Sequence, residues 1–271
     1  VANIGKKNGI PLIVDNTAAP ITCKPIEHGA SIVVYSLTKW IGGHGSSIGG
    51  MIIDSGKFNW TEFPERQPLY NTPDPSYWGW VLGKVVPEAL GANLTYIVRA
   101  RFVLLRDLGS SLSPTNSFNI IQGLETLPLR FKKHQENAAL VAKFLKEHQS
   151  VNKVIYPGFQ DGINKERAEK YLSDGFGPLV GFELKDGLEA GKKFIDSLKL
   201  LYHVANIGDA RSLAIHPAST THSQLSPEDQ IRSGVTPGYI RLSVGIENIE
   251  DILNDIDQAL KVSSKSVKSA A

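Results

Sequence analysis

The stretch ASIVVYSLTKWIGGHG, Ala30–Gly45, decides how the rest of the chain is read. Its first half is apolar throughout, the pattern of a strand covered on both faces in a parallel sheet. Its second half presents one amine, Lys39, between the hydroxyls of Ser36 and Thr38 and the glycines Gly42, Gly43 and Gly45. A lysine held at the end of a buried strand loses its proton more readily than one in water, because desolvation disfavours the charged form. Such an amine suits imine formation with an aldehyde.

Neighbouring hydroxyls and backbone N–H groups suit a phosphate dianion. An aldehyde and a phosphate together point to pyridoxal 5'-phosphate. That cofactor also requires a carboxylate beside its pyridine nitrogen, to keep the nitrogen protonated and the ring able to accept electrons. Just upstream, IPLIVDN (Ile10–Asn16) is a second apolar strand that ends on Asp15. CKPIEHG, between the two strands, is long enough for a short crossover helix stopped by Gly29. Two neighbouring parallel strands would bring Asp15 and the Ser36–Lys39 turn to one edge of the sheet, where open α/β sheets bind ligands. Taken singly each residue is weak: Asp15 is equally a turn residue, and Lys39 a surface base.

Around this core the composition is ordinary. The chain has 271 residues, of which 41% are hydrophobic and 21% charged. That is enough to bury two modest domains. A net charge of +2 gives no reason to expect a nucleic acid or an anionic membrane as partner. Cys23 is the only cysteine, so an intrachain disulfide and a cysteine metal cluster are excluded, and a reducing compartment, the cytoplasm, is expected. No apolar run reaches membrane-spanning length.

SIGGMIID (Ser47–Asp54) is a third candidate strand with the same sequence pattern as the first two. The Trp-, Pro- and Tyr-rich segment from Phe58 to Pro87 reads as a long irregular stretch, a functional loop or an aromatic-anchored surface. Leu94, Ile97, Val98, Arg101 and Leu105 then keep helical spacing, with Arg99, Arg101 and Arg106 expected on a solvated or interface face. A second helical run follows and is expected to break or bend at Pro128. After it, VNKVIYPG, PLVGFELK, YHVANIG, SLAIHP and YIRLSVG read as strands separated by helices, an α+β pattern. The predicted domains are 1–125, the C-terminal part of a cofactor-binding α/β domain with a mostly parallel sheet, and 126–262, a smaller α+β domain. A frayed basic tail is expected from Lys261, with 263–271 outside both domains.

VDNTAAP, YSLTKWIGGHG, ETLPLRFKKHQENA, ANIGDARSLAIHPASTTHSQLS and IRLSVGIE occur in that order. Together they resemble the successive motifs of the Cys/Met-metabolism family of pyridoxal-phosphate enzymes, of fold type I, over nearly the whole chain. The SxTKxxGGHG form and the ANIGDARSLAIHP block are most similar to its O-acetylhomoserine sulfhydrylase branch. The resemblance implies a γ-replacement in which O-acetylhomoserine and sulfide give homocysteine and acetate. It casts Lys39 as the Schiff-base lysine, Asp15 as the pyridinium partner, and Ser36 and Thr38 as phosphate-holding hydroxyls. It also casts Arg241, in IRLSVGIE, as the binder of the substrate α-carboxylate, with Asn206 beside it. Relatives form dimers of dimers with shared active sites, which implies a homotetramer.

The resemblance further implies an N-terminal portion, with an oligomerisation arm and a Gly-rich phosphate loop, that these motifs do not include. A complementary N-terminal fragment in the same assembly is therefore expected, and little stability of this chain without one. Alternatives within the family are γ-elimination or cystathionine chemistry; outside it, a non-catalytic interaction piece. Other candidates read as structural. His44 is a structural histidine. His216 and His222, among Ser and Thr and with no acidic or cysteine ligand set, are expected to hold loops rather than a metal. The three glycines do not form a GxGxxG, so a dinucleotide site is not expected.

Overall fold

A computed structural model of the chain describes residues 1–268, with side chains to Ser264. The first unit is built on three strands: β1 (Ile13–Asp15), β2 (Ile32–Ser36) and β3 (Gly50–Asp54), in the order β1-β2-β3. β1 and β2 are parallel, with Asp15 opposite Val34. Their link is a short 3-10 helix, Pro25–His28, ended by Gly29 in the left-handed region at φ 91°, as the crossover requires. β3 is antiparallel to β2, pairing Ser36 with Gly50 and Ile32 with Asp54. The sheet is thus mixed, and Asp54 lies at the opposite edge from Asp15 and Ser36. The reason is local: a chain that reverses through tight turns, without a crossover helix, can only return antiparallel.

The expectation of strands covered on both faces holds for the start of β2 alone. Ile32 and Val33 are buried, whereas Ile13 on β1 and Met51, Ile52 and Ile53 on β3 are exposed. In the Trp-rich segment, Trp60 is buried, edge-on to Tyr70 and stacked on Tyr96, which makes it an aromatic anchor. Of the three arginines expected on a solvated or interface face, Arg99 turns inward to Asp74 at 4.0 Å, while Arg101 and Arg106 are exposed.

One helix, Pro114–Glu147, runs unbroken through Pro128. A proline inside a helix removes one hydrogen bond, but packing along both halves holds this one continuous. Ile120, Leu127 and Phe131 join a cluster with Leu37, Trp40 and Ile41. Ala138, Val141, Ala142 and Leu145, further along, belong to the larger core. One helix thus contributes side chains to both apolar clusters.

That larger core fills the second unit, a five-stranded sheet in the order β4-β5-β8-β7-β6. Its strands are β4 (Val151–Ile155), β5 (Leu179–Leu184), β6 (Tyr202–His203), β7 (Leu213–Ile215) and β8 (Tyr239–Ser243). All five expected strands are present, joined by helices at Gly162–Tyr171, Gly187–Ser197 and Pro227–Arg232. The last helix, Ile249–Lys268, packs Ile252, Ile256, Ala259 and Leu260 into the core. It extends beyond Lys261, where fraying was expected, and buries Ser263. Residues 269–271 of the expected tail lie outside the described residues. Among the described residues no helix is long and apolar enough to cross a membrane.

Candidate active site

Lys39 sits on a tight turn that leaves β2 at its carboxyl end. Gly42 N–H donates to Leu37 O over 2.8 Å and Gly43 N–H to Lys39 O over 2.7 Å. The flanking Leu37 and Trp40 are buried, so they anchor the turn and leave Lys39 half-buried between them. The Lys39 amine donates to the side-chain oxygen of Asn206.

Asp15 stands at the carboxyl end of β1, on the same rim. Thr17 joins the two ends: its N–H donates to Asp15 Oδ1 over 3.0 Å, and its hydroxyl accepts from Ser36 N–H over 2.8 Å. The bonds from the Thr17 hydroxyl and N–H hold the Asp15 carboxyl below its ordinary value, so it is ionised at neutral pH. Asn16, between them, is buried and structural. It donates to Cys23 O over 2.9 Å and to the Tyr35 hydroxyl over 3.1 Å.

The second unit closes over the lysine turn from above. Asn206, Ile207 and Gly208 lie between β6 and β7. Gly208 has φ +79°, and a Cβ there would come within 2.5 Å of Trp40 N and 2.8 Å of the Lys39 carbonyl carbon. Only glycine allows that approach. Gly208 N–H donates to the Ser243 hydroxyl over 3.1 Å, and Arg241, two residues earlier on β8, donates to Asn206 O over 3.3 Å. Arg241 has no carboxylate partner among the described residues, and burial pulls its guanidinium below its ordinary value.

The structure thus brings Lys39, Asn206 and Arg241 into one hydrogen-bonded line, and Asp15 and Ser36 into a second on the same rim. The donor set fits a pyridoxal phosphate: an amine for its aldehyde, an ionised carboxylate for its ring nitrogen, and a guanidinium fork for a substrate carboxylate. Ser36 adds a hydroxyl with no hydrogen bond to a protein group among the described residues. The Thr38 hydroxyl is placed differently. It accepts from Gly49 N–H over 3.1 Å and donates to Gly49 O over 3.4 Å, tying the turn to the start of β3.

The chain matches the profile of the Cys/Met metabolism PLP-dependent enzymes over residues 1–261. It belongs to that family. An O-acetyl-L-homoserine sulfhydrylase of Leptospira meyeri is 53% identical over 267 residues, covering 96% of this chain and 60% of the relative. The homocysteine/cysteine synthase of Saccharomyces cerevisiae is 46% identical, with the same coverage. A crystal structure assigned as an O-acetylhomoserine (thiol)-lyase of Campylobacter jejuni superposes with a TM-score of 0.87 at 40% identity. It covers 96% of this chain and 61% of that one, and one of its lysines carries a pyridoxyl phosphate group. The chain therefore spans about 60% of the length of the relatives it matches. Fold type I and dependence on pyridoxal phosphate follow from family membership and this superposition.

Within this family member, the glycines after Lys39 serve close packing. A Cβ on Gly43 would lie 2.1 Å from Arg130 Nη1, and one on Gly45 2.6 Å from Asp209 Oδ2. Burial pushes the Asp209 carboxyl up, but the side-chain and backbone bonds from Arg211 more than offset this, leaving it below its ordinary value. His216 bonds Ser219 Oγ and Pro237 O, both at 2.8 Å, the structural role expected of it. Sequence reasoning missed Thr17, Arg130 and Glu247. Glu247 accepts from Ser212 N–H over 2.6 Å and from the Ser212 hydroxyl over 2.9 Å, and so fixes the turn behind the lysine. Their only signal was position inside quoted motifs.

Proposed function

We propose that this chain carries the lysine-bearing part of an enzyme that replaces the acetate at Cγ of O-acetylhomoserine with sulfide, giving homocysteine and acetate. The line from Lys39 through Asn206 to Arg241, on the rim that also holds Asp15, carries this reading. The names of the similar proteins support the choice of substrate. When bound, pyridoxal phosphate supplies an electron sink that makes protons on the substrate's Cα and Cβ removable.

The chain's own residues do the rest. Lys39 would hold the cofactor through its aldehyde carbon. Its free amine then takes the proton from Cα and moves protons at Cβ as a general base and acid. Asp15 keeps the ring nitrogen protonated. Ser36 and Thr38 hold the phosphate, Thr38 while remaining bonded to Gly49. The planar Arg241 fork takes both oxygens of the α-carboxylate, with Asn206 beside it.

Residues 1–125 would form the C-terminal part of the cofactor-binding domain and 126–262 the small domain; two separate apolar clusters support two domains, although the first reaches along the Pro114–Glu147 helix as far as Phe131. A cytoplasmic homotetramer rests on the single cysteine and on the family resemblance. Native mass spectrometry checks it.

The test is K39A in the protein loaded with pyridoxal phosphate. Loss of the visible absorbance and of homocysteine formation from O-acetylhomoserine and sulfide is expected. Unchanged absorbance and turnover would refute the reading. Faster turnover of methionine or cystathionine than of O-acetylhomoserine would move the chain to another reaction of the same family.

A further inference from the structure

The motif ETLPLRFKKHQENA (Glu125–Ala138) contributes no group to the site described above, yet it buries three polar side chains on one helix face. Arg130, His134 and Asn137 stand at i, i+4 and i+7. Each donates to main-chain carbonyl oxygens. Arg130 Nη1 reaches Trp40 O over 3.0 Å and Nη2 reaches Ile41 O over 3.2 Å, two carbonyls that follow Lys39 directly. Arg130 also bonds Gly123 O and the Thr126 hydroxyl. It has no carboxylate within ion-pair distance among the described residues.

Further along the same face, His134 Nδ1–H donates to Val244 O over 2.7 Å. Asn137 Nδ2 donates to Gly245 O over 3.0 Å and to Glu247 O over 2.9 Å. Those carbonyls lie where β8 ends, just beyond Arg241 and Ser243. Gly123 makes room for the arrangement, since a Cβ there would fall 2.3 Å from Gly42 O. Burying a guanidinium, an imidazole and an amide is unfavourable unless each finds partners. Here the partners are the backbone on either side of the site.

We infer that Arg130, His134 and Asn137 are positioning residues: one rigid helix face sets the separation between the turn that carries Lys39 and the strand that carries Arg241. The inference rests on the proposed roles of those two residues. Arginine suits the first contact because its planar fork serves two carbonyls at once, which a lysine ammonium does not. A displacement of about 1 Å at a reacting group can cost about a hundredfold in rate.

The test uses the intact protein loaded with pyridoxal phosphate and the variants R130K, R130Q, H134L and K39A. R130K and R130Q are expected to lower kcat about tenfold, with KM for O-acetylhomoserine within about twofold. H134L is expected to raise KM about tenfold with kcat within about twofold, because it loosens the strand end beside Arg241. A second readout needs no turnover: in cofactor-stripped protein, recombination with pyridoxal phosphate, followed by growth of the visible band, should slow about tenfold in the Arg130 variants and stay native in H134L. Should the Arg130 variants not fold, T126V, which removes the contact to Arg130 Nε together with the Thr126 hydroxyl's bond to Gly123 O, should shift the same quantities in the same direction. Variants that lose thermal stability but keep native kcat, KM and recombination overturn the proposal. So do variants at both ends that change kcat and KM alike. K39A separates the two readings: if it keeps band and turnover, the site assignment fails, and if it loses both while R130K is native, the positioning role alone fails.

Discussion

Thr17 accepts the backbone N–H of Ser36 over 2.8 Å, and this bond fastens the loop after β1 to the end of β2. The same residue donates its own N–H to Asp15. T17V keeps the side chain's shape and removes the hydroxyl, leaving the Ser36 N–H without its acceptor. Unfolding by denaturant should show a loss of about 1–2 kcal/mol, with T17S close to native. The Asp15 carboxyl should also titrate higher in T17V, read by NMR. An unchanged titration would mean that Thr17 does not hold that carboxylate.

D15N separates function from stability. Asp15 is exposed at the sheet rim, so its loss should change the unfolding midpoint little. Its proposed task is to keep a ring nitrogen protonated, which the neutral amide does not do. Turnover should fall by about a hundredfold or more, measured as homocysteine released from O-acetylhomoserine and sulfide. Native turnover in D15N would remove Asp15 from the site.

Gly123 should not accept a side chain. The methyl group of G123A would meet Gly42 O and Ile41 O, both backbone, so the helix and the lysine turn must part. A destabilisation of about 1–3 kcal/mol is expected by thermal or chemical unfolding. G91A is the control: nothing lies within 4 Å of its Cβ, and only the left-handed backbone at φ +68° opposes it. If both cost the same, close packing is not what demands Gly123.

His134 makes stability depend on pH. Burial pulls its imidazole down from 6.5 to about 4, partly offset by its bond to Val244 O; Arg130 lowers it further and Asp209 raises it. Between pH 6.5 and 4 the unfolded chain therefore binds a proton that the folded chain does not. Stability is complete above 6.5 and falls as the pH drops toward 4, by roughly 3 kcal/mol from this residue. His148 and His216, also lowered chiefly by burial, add to the slope. H134N, which retains a donor toward Val244 O and does not titrate, should flatten the curve of unfolding midpoint against pH. An equal slope in H134N and the native chain would show that His134 is not its source.

R241K tests carboxylate recognition. The lysine keeps the charge and loses the fork, so KM for O-acetylhomoserine should rise about tenfold or more while kcat changes less. Equal KM values would place the carboxylate elsewhere.

Much of this was legible in the residues. An unbroken apolar run followed by SLTK announces a buried strand ending on a lysine, because chain periodicity and turn chemistry act over a few residues. The second-unit strands were legible for the same reason, most of them short, apolar and close to a Gly or Pro. What escaped were features set by partners far along the chain. Asp54 belongs to the other edge because β3 runs antiparallel, a consequence of how the chain turns after Lys39. Pro128 does not break its helix because two cores hold its halves.

By itself the sequence determined the local elements and where the candidate groups stand along them: Lys39 after one strand, Asp15 after another, Arg241 on a third. Only the tertiary structure decided that Asn206, 167 positions after Lys39, would meet its amine, and that Arg130 would grip the turn from a helix. The physical reason is range. Backbone preferences and hydrophobic period act between neighbours in the chain, whereas a buried donor takes its acceptor from whatever backbone the packing brings within about 3 Å.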